Sequence, residues 1–287
     1  MIDTLGIQLF SLPVMLDQSF DQVCPMLSAM GYQEVEMYGP YAFSHATAIS
    51  QWEAVVPMLG FSGSGFFGLS AKDFKKHLEA HDLKATSAHT DLYTLQSGMK
   101  DLAEAASVLG WQYVVLPAIP DELRKDLDDY KRMADLFMTI GREAKKYGLR
   151  FAYHNHGYGL QELDGMVPLQ ILLENTDPDL VFFEMDIFWT VAGGLDPVDL
   201  LESYPDRYHL LHIKDMKEIV RFSGDGSSAS QWFELFPFMT SAGEGVLDIK
   251  GILQKAKGLG IQRFFVEQDM VQDPELSLKK SADYLRQ

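Results

Sequence analysis

The stretch GLRFAYHNHG (Gly148–Gly157), followed by PLQILLEN (Pro168–Asn175) and LVFFEMD (Leu180–Asp186), decides the fold. Arg150–His154 is a short apolar run of strand length, Pro168–Asn175 reads as a helix, and Val181–Asp186 is the next short run. Strand, helix, strand is a βα unit, and a helical crossover implies parallel strands. Working outward, the same alternation fills the chain. Leu5–Phe10, Val35–Met37, Lys84–His89 and Tyr113–Leu116 come before the opening stretch, and Tyr208–Ile213 and Arg263–Glu267 come after it. Between them lie helix candidates at Gln18–Met30 with a C′ glycine at Gly31, Ala71–Ala80, Met99–Leu109 closing at Gly110, and a long one ending near Tyr147–Gly148. Pro197–Tyr204, Ile249–Leu259 and Glu275–Arg286 complete the set.

Eight strand candidates, each followed by a helix candidate, in 287 residues predict a single closed (β/α)8 TIM barrel over residues 1–287. A doubly wound open sheet would need a glycine-rich phosphate turn after the first strand, and SLPVMLDQS (Ser11–Ser19) has no glycine. No linker divides the chain. SGDGSSAS (Ser223–Ser230) falls inside the loop after the seventh strand and reads as a mobile active-site loop. Trp232, Phe233, Phe236 and Phe238 follow it, which makes the segment either a lid or a subunit contact.

Composition narrows the function. The chain is 47% hydrophobic and 23% charged, as a globular protein is. It has no apolar run of about 18 residues, so no membrane span is expected. The start, MIDTLGIQLF, lacks the basic region of a signal peptide. Cys24 is the one cysteine, so no internal disulfide forms and a cytoplasmic location is expected. Twenty-four basic against 41 acidic residues give a net charge of −17, which repels phosphate backbones and argues against a nucleic-acid partner.

In a barrel, alternate strand residues face inward and chemistry sits at the C-terminal strand ends. Polar residues collect there at a spacing of two: Gln8; Glu34 and Glu36; His89, with Asp91 beyond; His154 and His156; Glu184 and Asp186; His212 and Lys214; Glu267 and Asp269. Their neighbours Phe151, Tyr153, Phe183, Leu211, Ile213 and Val266 would then face the helices. One such His or Glu is an ordinary loop-proximal residue. Seven strands doing this at one end is different, because buried carboxylates and imidazoles are costly unless paired or metal-bound. Histidine with Asp and Glu, without thiolate, suits Mn²⁺, Co²⁺, Fe²⁺ or Mg²⁺, with Zn²⁺ not singled out. HExxH, paired CxxC, Walker and GxSxG patterns are absent, and the glycine-rich Gly60–Gly68 reads as a loop rather than a dinucleotide site.

At these residues the chain resembles the xylose-isomerase-like TIM barrels of sugar (phosphate) isomerases, epimerases and inosose dehydratases. The carrying segments are GIQLFSLP (Gly6–Pro13), LKATSAH (Leu83–His89), FAYHNHGY (Phe151–Tyr158), FFEMDIFWTVAGGLDP (Phe182–Pro197), HLLHIKDM (His209–Met216), GEGVLD (Gly243–Asp248) and FFVEQD (Phe264–Asp269). The resemblance implies one divalent metal ion, with Mn²⁺ placed first, on His154, Asp186, His212 and Glu267. Family members often read ENH where this chain reads His154-Asn155-His156, and the YHNH form is similar to one subgroup. It implies proton abstraction beside a carbonyl through an ene-diolate, acting on a small sugar. His156 is then the candidate base and Lys214 the charge beside the oxyanion. Gln8, Glu36, His89 and Trp189 would contact substrate, and Glu184 would orient a ligand histidine. Isomerase or epimerase is the first reading and dehydratase or lyase of an inosose or 3-keto sugar the second. A related endonuclease is opposed by the charge, and a non-catalytic sugar-binding barrel would not need ligands on four strands. A homo-oligomer is left open.

Overall fold

The computed structural model of the protein describes residues 2–269 and 271–287. Its strands are β1 (Gly6–Gln8), β2 (Glu34–Tyr38), β3 (Lys84–His89), β4 (Tyr113–Leu116), β5 (Arg150–His154), β6 (Val181–Asp186), β7 (Tyr208–Ile213), β8 (Asp215–Met216), β9 (Met239–Thr240) and β10 (Arg263–Val266). Eight of them close a parallel barrel in the order β1-β10-β7-β6-β5-β4-β3-β2, as the βα repeats predict, while β8 and β9 form a separate antiparallel pair beyond β7. No described helix is long and apolar enough to cross a membrane.

The barrel interior is layered by residue parity. Tyr113, Val115, Ala152, Leu210 and Phe265, with Phe182, make an apolar plug. Two residues further along their strands the polar groups begin: Ala152 leads to His154, Phe182 to Glu184, Leu210 to His212 and Phe265 to Glu267. A bulge on the β6–β7 pairing, between Phe183 and Glu184, sets Glu184 beside Leu210 and Asp186 beside His212. Phe151, Tyr153, Phe183, Leu211, Ile213 and Val266 face outward into the main core under the helices. Glu34 departs from the expected strand-end position. It opens β2, so it lies at the opposite mouth, paired with Arg263 (3.0 Å) and Thr86 (3.2 Å).

That opposite mouth carries a titratable plug. Arg150 Nη1 donates to Tyr113 Oη (3.1 Å), which shares a hydrogen bond with His209 Nδ1 (3.0 Å). Burial, reinforced by Arg150, brings the His209 imidazole down from 6.5 to about 4. The unfolded chain therefore binds a proton below pH 6.5 that the folded one refuses until about pH 4, so stability falls as pH drops through that window. His209→Gln should remove up to about 3 kcal/mol of this acid sensitivity. Urea unfolding at pH 7 and pH 4.5 measures it, and an unchanged difference between the two pH values would reject it.

Four of the described α-helices escaped the sequence reading: Leu92–Ser97, Ala229–Leu235, Ala46–Leu59 and Ile187–Ala192. Ala46–Leu59 carries Pro57 and has little buried surface, so its apolar spacing is weak. Ile187–Ala192 is buried at every position and shows no amphipathic stripe. Its one local signal is Asp186, an N-cap whose Oδ1 accepts from Trp189 N (2.9 Å).

Candidate active site

The C-terminal mouth holds two layers of ionisable side chains. In the inner layer Glu36 Oε2 accepts from Gln8 Nε2 (2.9 Å) and lies 3.1 Å from His89 Nε2 and 2.5 Å from His212 Nε2. Glu184 Oε2 lies 2.8 Å from His89 Nε2, 3.0 Å from His154 Nδ1 and 3.3 Å from His212 Nε2. In the outer layer Lys214 Nζ sits among Glu267 (2.7 Å), Asp269 (2.8 Å) and Asp186 (3.0 Å). His212 joins the layers, its Nδ1 lying 2.7 Å from Glu267 Oε2.

Electrostatics follow from this crowding. Burial opposes ionisation of Glu36, but the adjacent His89 and His212 outweigh it and hold its carboxyl well below the usual range. Burial likewise disfavours charge on His89, and Glu36 with Glu184 overcomes it, raising the ring to about 9. His154 goes the other way: burial, then His212, keeps it neutral. Burial raises Asp186 despite Lys214, and it lifts Asp269 to about 7. Lys214 resists its own burial because Asp186, Asp269 and Glu267 surround it, so it stays charged.

The structure brings Asp186, His212 and Glu267 into one cluster whose donor atoms lie within 4.8 Å of one another. It places His154, the fourth sequence-assigned ligand, in a second cluster with His89, Glu184 and His212, its Nε2 3.9 Å from Asp186. Glu184 does contact histidines, as a residue orienting a ligand would. Glu36 and His89, read as substrate contacts, lie deep in the inner layer and hold its hydrogen bonds.

Trp189 is not open to a sugar in this conformation. It is 1% exposed, with Phe222 stacked on it at 5.6 Å and Lys214 Nζ 5.5 Å from its ring centre. The ring over the mouth is Trp232, stacked on His156 at 5.1 Å and 23°. It belongs to the segment read as a mobile loop, which instead folds as a helix, Ala229–Leu235, and docks. Trp232 Nε1 donates to Gly226 O (2.7 Å), Arg124 Nη2 donates to Ser227 O (2.9 Å), and Phe222 joins a cluster with Phe188, Trp189 and Met239. Gly226 is needed there: at φ +69° its backbone passes Gly157 so closely that a Cβ would lie 2.4 Å from Gly157 O.

His156 Nδ1 donates to Pro117 O (2.6 Å), because a carbonyl only accepts, which leaves Nε2 with a free lone pair. Burial, then Lys214, lowers this ring to about 3, so it is neutral near pH 7. The sequence reading assigned no role to Asn155, whose Oδ1 accepts from Asp186 N (3.2 Å) and whose Nδ2 donates to Thr190 Oγ1 (3.2 Å). Nor did it assign one to Asp269, which holds Lys214. Asp269 was legible as the second inward residue after Phe265. Asn155, off that parity, was not.

Comparison with known proteins agrees with this architecture. The family model for the xylose isomerase-like TIM barrel matches residues 26–287. An inosose dehydratase of Bacillus licheniformis is 24% identical over 247 residues, covering 77% of this chain and 80% of that protein. A crystal structure of a sugar phosphate isomerase/epimerase from Parabacteroides distasonis superposes with a TM-score of 0.74 at 26% identity, covering 99% of this chain and 93% of the other. The zinc-bound IOLI protein shares the fold, with a TM-score of 0.65 at 15% identity, covering 99% and 95%. With the closed barrel and a family match over nearly its whole length, the chain belongs to the xylose isomerase-like TIM barrel family.

Proposed function

We infer that the protein is a divalent-metal-dependent sugar isomerase or epimerase that begins by removing a carbon-bound proton next to a carbonyl. The observation that carries this reading is the outer cluster of Asp186, His212 and Glu267 with the free Nε2 of His156 nearby. A cation fits the donor set. Glu36, Glu184, Asp186, Glu267 and Asp269 are five buried carboxylates around one buried ammonium, Lys214. Asp186, His212 and Glu267 would hold the ion, and mixed carboxylate and imidazole donors suit Mn²⁺, Co²⁺, Fe²⁺ or Zn²⁺. When bound, such an ion supplies Lewis-acid polarisation of a carbonyl.

The chain's own residues account for the proton. His156 Nε2 accepts it, and the Pro117 carbonyl fixes the tautomer that makes this possible. Negative charge developing on the substrate oxygen raises the ring's proton affinity in the transition state, while its low affinity beforehand keeps it in the accepting form. Lys214 adds fixed positive charge beside the outer cluster. Trp232 covers His156 and excludes water from it. Returned to carbon, the proton completes an isomerisation or epimerisation. Delivered to a β-hydroxyl, it releases water and leaves a C=C bond. That dehydration is the second reading, and similarity to inosose dehydratases favours it.

Proton NMR of keto sugars and inososes in D₂O, with protein reloaded with Mn²⁺ or Co²⁺, tests the common step. Deuterium at the carbon next to the carbonyl is expected, and its absence from both product and recovered substrate rejects the reading. The product distinguishes the two outcomes.

Trp232→Ala should raise KM or lower kcat by about tenfold, the scale of one lost aromatic contact, with metal content and oligomeric state unchanged. Trp232→Phe should restore most of the loss. A variant that dissociates an oligomer and keeps wild-type kinetics would assign the ring to a subunit contact instead.

A further inference from the structure

The proposed reaction engages the outer cluster, His156 and Lys214, and leaves the inner layer without a task. That layer is built around one oxygen. Glu184 Oε2 has His89 Nε2 at 2.8 Å, His154 Nδ1 at 3.0 Å and His212 Nε2 at 3.3 Å. Donors bound at 2.0–2.1 Å to a tetrahedral ion stand roughly 3.3 Å apart, so these separations are close to the edges of a metal-centred tetrahedron. The rings already crowd one another: His89 and His212 lie parallel at 5.3 Å, and His154 is 4.5 Å from His212. The four donor atoms of His89, His154, Glu184 and His212 all fall within 4.8 Å of each other.

Two further observations point to a cation there. Glu36 Oε1 and Glu184 Oε1 are fully buried and have no hydrogen-bond partner among the described residues. A bare buried carboxylate oxygen is costly and calls for an occupant. Charge leaves room for one there as well: Glu36 and Glu184 bring two buried negative charges into the inner layer, which one divalent ion, or two protons on the facing imidazoles, would balance.

We propose that the chain holds a second divalent ion, on His89, His154, Glu184 and the Nε2 face of His212, with Glu36 beside it. Three imidazoles and one carboxylate select a borderline ion of the Zn²⁺ or Co²⁺ type over Mg²⁺ or Ca²⁺. The inner residues are almost fully buried, from 0% for Glu184 and His212 to 7% for His89, so this ion holds the strand ends together and does not meet substrate. The competing occupant is a pair of protons, on His89 and His212, which would balance the same charge. The inference goes beyond the catalytic reading and does not depend on which sugar is turned over.

The test uses full-length protein stripped with a chelator and reloaded with Co²⁺ alone, read by elemental analysis and visible absorption. The wild type should saturate at two Co²⁺ per chain. His89→Gln and Glu184→Gln should each saturate at one. Asp186→Ala should also saturate at one, with the visible spectrum of an imidazole-rich site that His89→Gln lacks. Circular dichroism confirms that each variant is folded, and the near-isosteric Gln changes are chosen to keep it so. A wild type that saturates at one Co²⁺, still one in His89→Gln, means that protons fill the inner layer and overturns the proposal. One Co²⁺ lost in His89→Gln but kept in Asp186→Ala upholds the inner site and removes the outer one on which the catalytic reading stands.

Discussion

Asp186→Ala is expected to lose the ion of the outer cluster and to lower kcat/KM by about 10³-fold or more, while the barrel stays folded. Asp186 Oδ2 lies beside Lys214 Nζ (3.0 Å), and the carboxylate belongs to the cluster with His212 and Glu267. Its other oxygen is already used, capping Ile187–Ala192 through Trp189 N. The two oxygens therefore do separable work, and two substitutions separate them. Alanine removes both, costing about 1 kcal/mol for the lost cap in addition to the ion. Asparagine keeps a capping oxygen and loses the charge, so it should recover the stability and not the metal. A thousandfold fall is about 4 kcal/mol of transition-state stabilisation, the scale of a lost Lewis acid. Metal analysis, thermal unfolding and steady-state kinetics on both variants check this. Full occupancy of the outer cluster in Asp186→Ala would remove it as a metal site.

The barrel was legible because its signal is redundant. Lys84–His89, Tyr113–Leu116, Arg150–His154, Val181–Asp186 and Tyr208–Ile213 have the bounds that their apolar runs mark. Strand parity also located the polar layers: Ala152 to His154 to His156 is one inward line, and Leu210 to His212 to Lys214 is another. What parity does not carry is depth and conformation. It ranked Glu34 with Glu36, although the first residue of a strand belongs to the opposite mouth. It could not tell that His154 turns to Glu184 while Asp186 turns to Lys214, because both choices leave the spacing unchanged. Trp189 and Trp232 show the same limit. Each is an aromatic residue after a strand, and only the docking of residues 222–235 decides that Phe222 covers the first and the second covers His156. Short buried helices such as Ile187–Ala192 are invisible to periodicity, since every face is apolar.

His156→Gln is expected to lower kcat by about 10²–10⁴-fold with metal content intact, the usual contribution of a positioned base. The ring is suited to the task by three neighbours acting on different properties. The Pro117 carbonyl takes Nδ1–H and fixes which nitrogen is free. Burial and the Lys214 charge keep the ring unprotonated, its pKa lowered to about 3. Trp232 holds its plane. Glutamine keeps volume and a donor toward Pro117 but offers no basic nitrogen, so the loss should appear in kcat rather than in binding. The sign of the pH dependence follows from the same shift. A base is active when unprotonated, so His156 reduces kcat/KM only as pH falls toward about 3, and any acid limb above pH 5 must belong to another group. His156→Gln should therefore leave the position of such a limb unchanged while lowering the whole profile. Exchange of the substrate's α-hydrogen with D₂O should fall in parallel with turnover, because isomerisation and dehydration share that first proton transfer. If the variant retains wild-type exchange, the proton is taken by another group, and Glu267 or Asp269, just beyond β10, becomes the base.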